Sequence, residues 1–254
     1  MNHLFYKTNL TLIQKISFAA VFMALATILQ KVLAVNYIPA IPFLRISFGG
    51  PAIIIFASIL LGPFFGLLVG AGSDLLGYLV FDPKSTGGYF FQITLIYALL
   101  GFVSYFVFCL LRKWANKLML FFQILFMAII LILLSIYLIF NNSFMGVYTI
   151  ETWMKIAFPT ILLTLFIMLL VTLFLINKCR YFQNNLTNVF NLSFTFFIIE
   201  LLVFLIFGSF MKAWAFGFNL YGAILICQAM VGFFNIILNT ILISLLLKIS
   251  KKYF

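Results

Sequence analysis

The chain has 254 residues, of which 66% are hydrophobic and 7% charged, with 35 Phe and a net charge of +11. A soluble domain of that composition would expose large apolar patches and aggregate, so the sequence reads as an integral membrane protein of the all-α class, a single membrane domain over 1–254. The excess of Lys and Arg lies between apolar segments, where membrane topology places it, and is not read as a nucleic-acid footprint.

Taking ~20 apolar residues per crossing, eight helical spans are predicted, near 13–36, 47–61, 63–82, 89–111, 118–140, 154–177, 186–210 and 219–247. The second and third are short, so one or both are tilted or incomplete. No cleavable signal peptide is expected, because the first apolar segment is long and lacks a small-residue cleavage site. With the N-terminus inside, Lys7, Lys15, Arg112, Lys113, Lys117, Lys178, Arg180, Lys248, Lys251 and Lys252 face the cytoplasm. Arg45, Lys84, Lys155 and Lys212 then face out, and Lys31 lies within the first span. That bias predicts both termini cytoplasmic, in a multi-pass protein of the cell membrane.

The second and third spans are joined by Gly62-Pro63, which makes a tight turn. The third carries Gly62, Gly66, Gly70, Ser73 and Gly77 at helical steps, a face on which another backbone can approach closely. Beside it stands Asp74. A carboxylate in an apolar span costs roughly 2.5–3.5 kcal/mol on insertion scales, so something must offset it. Lys31, Asp74, Glu200 and Gln228 all fall in the outer parts of their spans, and Arg45 and Gln92 at outer mouths. The expectation is that these groups converge on one polar hollow open to the outside. Residues 36–47 and 82–89, rich in Pro, Gly and polar groups, read as ordered loops covering it, and 141–153 as a polar external loop.

The order R-I-S-F-G (45–49), L-G-P-x-x-G-x-x-V-G-x-x-x-D-x-L-G-Y (61–78) and T-G-G-Y-F (86–90) resembles the substrate-binding S components of energy-coupling factor vitamin transporters, most closely the folate-specific branch. The match covers about residues 14–112. The resemblance implies an outward-facing vitamin cavity, a transmembrane coupling protein and two cytoplasmic ATPases as partners, and docking through an Ala-x-x-x-Ala face, here Ala20 and Ala24. It also implies six spans. The eight counted here then divide into a core, 11–112 and 186–250, and an inserted helical pair at about 118–180.

Folate's chemistry assigns the candidates. Asp74 suits the paired N–H groups of a pterin edge, or else bonds a neighbouring helix or Lys31. Arg45 offers a planar fork to the glutamate tail, or else anchors its span at the headgroups, and Lys84 adds a point charge. Phe48, Tyr78, Tyr89 and Phe90 are candidate ring walls. Gln92 and Gln228 serve the pterin amide or a nearby backbone. Glu200 pairs with Lys31 or meets ligand, and Asn235 and Asn239 read as interhelical hydrogen bonds. No P-loop, H-E-x-x-H, C-x-x-C or G-x-S-x-G occurs, so no enzyme, metal site or cofactor is expected and ATP hydrolysis belongs to partners. The rivals are another vitamin, such as riboflavin or pantothenate, and a self-contained carrier driven by an ion gradient, with Asp74 or Glu200 taking the proton.

Overall fold

The structure is a computed structural model that describes residues 10–32, 49–81, 89–111, 116–141, 143–144, 148–149, 151–178, 189–218 and 221–253. The helices are α1 (Leu12–Lys31), α2 (Gly50–Leu61), α3 (Pro63–Phe81), α4 (Phe91–Leu111), α5 (Asn116–Phe140), α6 (Thr152–Lys178), α7 (Val189–Ile199), α8 (Ser209–Phe216) and α9 (Tyr221–Tyr253). A π-helical segment, Glu200–Gly208, joins α7 to α8 without a break. Among the described residues seven stretches are long and apolar enough to cross a membrane, with α2 as a shorter eighth helix. The chain is an all-α membrane bundle.

Local chemistry explains the ends. Thr11 caps α1 through a reciprocal pair: its hydroxyl accepts from the Gln14 amide, and the Gln14 side chain accepts from the Thr11 amide. Gly62 turns the chain from α2 into α3 at φ +103, a conformation L side chains rarely adopt. Between α5 and α6, within the expected external loop, Ser143–Phe144 pairs antiparallel with Tyr148–Thr149.

Helix α2 is buried along its entire length, wrapped by α1, α3, α4 and α9. It is apolar on every face, as a helix with no exposed side must be. Twelve residues reach only ~18 Å at 1.5 Å per residue, well short of a ~30 Å hydrocarbon layer. It is therefore a buried central post, shorter than the helices around it.

Two apolar cores flank the bundle's midline. One gathers α1 to α4 with parts of α7, the π segment and α9, around Ile54, Ile96, Leu100 and Phe196. The other gathers α5 and α6 against α7 and α9, around Met127, Leu138, Leu162 and Leu169. Helices α7 and α9 contribute to both.

The small residues Gly66, Gly70, Ser73 and Gly77 lie on the one buried stripe of α3, which meets α4, α2 and α1 along its length. Toward α4, a Cβ on Gly66 would lie 2.5 Å from the Gly101 carbonyl oxygen, and one on Gly70 would lie 2.0 Å from that of Tyr97. Gly101 faces Gly66 in the same way, 2.0 Å from its carbonyl oxygen. The two backbones touch, which only glycine permits. Toward α1, Gly72 and Gly77 make room for the side chains of Met23 and Lys31.

These two kinds of contact predict different mutational costs. Gly70→Ala drives a methyl into fixed backbone and is expected to lower stability by at least ~1–3 kcal/mol. Gly72→Ala meets only the flexible end of Met23 and is expected to be near neutral. Thermal unfolding of both variants in detergent measures the contrast; equal losses would show that α3 and α4 are not in backbone contact.

Candidate functional site

The α3–α4 contact brings Asp74 and Thr94 together. The Thr94 hydroxyl donates to Asp74 Oδ2 at 2.6 Å. The Tyr89 hydroxyl lies in hydrogen-bond contact with the same Thr94 oxygen. A threonine hydroxyl has one proton, already given to the carboxylate, so Tyr89 is the donor to Thr94. The result is a relay from Tyr89, which is exposed, through Thr94 to Asp74, which is buried. Tyr78, one turn after Asp74 on α3, sets its ring 5.2 Å from that of Tyr89.

Helix α1 closes the other side of α3. The Thr27 hydroxyl shares its one proton between the Met23 carbonyl of its own helix at 2.8 Å and the Ser73 carbonyl at 3.1 Å. One turn on, the Lys31 side chain crosses Gly77, where an added Cβ would lie 2.6 Å from Lys31 Cε. Lys31 thus lies along the same stretch of α3 that carries Asp74.

A second polar group forms beyond α4. Asn235 of α9 donates to Glu200 Oε1 at 3.2 Å. Nearer the α8 end, Lys212 donates to Gln228 Oε1 at 2.8 Å, and the Gln228 amide reaches the Phe204 carbonyl at 3.5 Å. Helix α3 packs on α1, α2 and α4, and α4 in turn packs on α7, the π segment and α8. The Tyr97 ring meets Phe204 across that second interface. Helix α4 therefore stands between the two groups.

Among the described residues, the polar groups expected to share one hollow fall into two hydrogen-bonded sets. Asp74, Tyr78 and Tyr89 come together. Gln228 is held by Lys212 in the other group. The Phe90 ring meets that of Phe216 of α8 at 5.0 Å, tilted by 52°, and neighbouring Phe91 meets Trp214 edge-on. Gln92 is buried in the first turn of α4. Glu200 is bonded to Asn235, while the Lys31 side chain lies against α3, so the expected Glu200–Lys31 pair does not form. The depth of Glu200 also changes. The helix runs on to Phe216, which puts Glu200 near mid-span and not in its outer half. Arg45, Phe48 and Lys84 lie outside the described residues. Ala20 and Ala24 are exposed on α1, with Ala19 and Ala26 turned inward.

Glu200 and Gln228 line a cavity of about 30 Å³, together with Met127, Phe197, Leu201 and Phe233. It holds about one water, far below the several hundred Å³ of an ordinary small-molecule pocket. Asp74, Tyr78 and Tyr89 are not among its walls. Among the described residues no group of three His, Cys, Asp or Glu side chains is placed to hold a metal. No family model, curated protein or solved structure matches the chain.

The residue missed from sequence is Thr94. It sits one turn into α4, at the level where an antiparallel neighbour of α3 must face Asp74, and a hydroxyl there was the available signal. Thr94→Val removes the donor from a buried carboxylate and is expected to cost about 1–3 kcal/mol. Tyr89→Phe breaks only the exposed outer link and should cost less than half as much. Thermal unfolding of both variants ranks them; the reverse order would place the weight of the relay on Tyr89.

Proposed function

We propose that the chain is the vitamin-binding subunit of an energy-coupling factor transporter, of the folate type, in the cell membrane with both termini cytoplasmic. The observation that carries this reading is the Asp74 group. A carboxylate inside a membrane bundle is held by a hydroxyl relay and flanked by two tyrosine rings, Tyr78 and Tyr89, at the helix ends on either side of residues 82–88. Intramembrane ionisable groups are expensive and mark ligand paths more often than packing. Asp74 accepts the paired N–H groups of a pterin edge, and the tyrosines wall the ring. Arg45 takes the anionic tail.

The exposed Ala20 and Ala24 give α1 a smooth strip for a coupling protein, which with two ATPases supplies the energy. Glu200, facing a mid-span cavity, keeps the ion-driven carrier as the second reading.

Titration of the purified chain against folate, riboflavin and pantothenate tests the first reading. Folate is expected to bind, and Asp74→Asn to weaken it at least tenfold, about 1.4 kcal/mol. Unchanged folate binding by Asp74→Asn would remove Asp74 from the site, and preference for another vitamin would reassign the ligand. Ala24→Trp is expected to keep vitamin binding and abolish ATP-dependent uptake in proteoliposomes containing the partners. Uptake by the chain alone on an ion gradient would favour the carrier.

A further inference from the structure

The Glu200 group has its own geometry and does not depend on the vitamin reading. The Glu200 side chain is 7% exposed. Asn235 bonds one of its oxygens, and among the described residues no donor reaches the other. Gly232 lies against the same side chain, where an added Cβ would meet Glu200 Cγ at 3.1 Å and Oε1 at 3.5 Å. Glycine there leaves space for the carboxyl group beside α9. The cavity that Glu200 faces has room for about one water and is walled mainly by Met127 and Ile130 of α5, Phe197 of α7 and Phe233 of α9.

Those walls decide the ligand. A hard metal cation needs a shell of oxygens, and methionine and phenylalanine supply none. Among the described residues the cation whose charge bears on Glu200 is Lys212 of α8, and its ammonium is hydrogen-bonded to Gln228. Helix α5 presents Met127 and Ile130, α4 packs on this segment through Ile96 and Tyr97, and α9 brings Cys227, Gln228 and Asn235. Among the described residues no cation is hydrogen-bonded to Glu200, so an ionised carboxylate there would rest on one amide donor and the more distant Lys212 charge, weak compensation in such surroundings. The π segment begins at Glu200 itself, and π-helical turns within α-helices are frequent at functional sites.

We propose that Glu200 is a proton-binding site at mid-membrane, loaded at neutral pH. A hydronium entering the cavity gives one proton to the open oxygen. The O–H bond forms there, a neutral water departs, and the charge on the site goes from −1 to zero. Losing the proton restores the anion and draws water between α5 and the π segment.

Infrared spectroscopy of the full chain in lipid bilayers, with no vitamin added, tests the proposal by the carbonyl stretch of a protonated carboxylic acid. At neutral pH the band is expected in the wild type and in Asp74→Asn, and is lost in Glu200→Gln. Asn235→Leu removes the donor to Glu200 and is expected to move the band to higher frequency, a readout that holds if Glu200→Gln fails to fold. Absence of the band from Asp74→Asn, its persistence in Glu200→Gln, or an unmoved band in Asn235→Leu would each overturn the assignment.

Discussion

The contact between the backbones of α3 and α4 is the constraint on which the rest of the bundle depends. Gly66 and Gly70 of α3 meet Gly101 and the Tyr97 carbonyl of α4 with no side chain between them. In hydrocarbon there is no hydrophobic drive to pull helices together, so close van der Waals approach must supply the cohesion. The same approach places Thr94 within bonding distance of Asp74, which turns an unaffordable charge into a held one. Without the glycines the carboxylate would face lipid or a void. Packing and polar chemistry are here one design.

Helix α4 then acts as a partition. Its α3 side carries the Asp74 relay, and its other side supports the π segment that bears Glu200. Each carboxyl group has its own local donor, the Thr94 hydroxyl for Asp74 and the Asn235 amide for one oxygen of Glu200. On the proposed reading, that separation would let one site take an organic solute while the other changes charge. It also gives α7 and α9, which contribute to both apolar cores, a place in each half of the bundle.

Much of this is legible in the residues themselves. Hydropathy finds the spans, because apolar length is what a membrane selects. Gly62-Pro63 marks the turn, and the positive φ of Gly62 explains it. Asp74 stands out because a carboxylate in such a helix needs a reason. What hydropathy misses are relations between helices. Gly66 and Gly77 look alike in sequence, yet one meets the α4 backbone and the other the Lys31 side chain. Glu200 and Lys31 seem matched in depth until α8 lengthens its helix to Phe216 and lowers Glu200 to mid-span. The π segment leaves no composition signal, since i→i+5 bonding is set by packing. Thr94 is one hydroxyl among many until its neighbour is known.

The central claim is that the Asp74 group forms the floor of an outward-facing vitamin site. The most direct measurement replaces Cys109, Cys179 and Cys227 by Ala, introduces Tyr78→Cys, and treats intact cells with a membrane-impermeant thiol reagent. The account predicts labelling from outside that folate blocks. A thiol at position 78 that reacts only from the cytoplasmic side, or reacts equally with and without every vitamin tried, would contradict it.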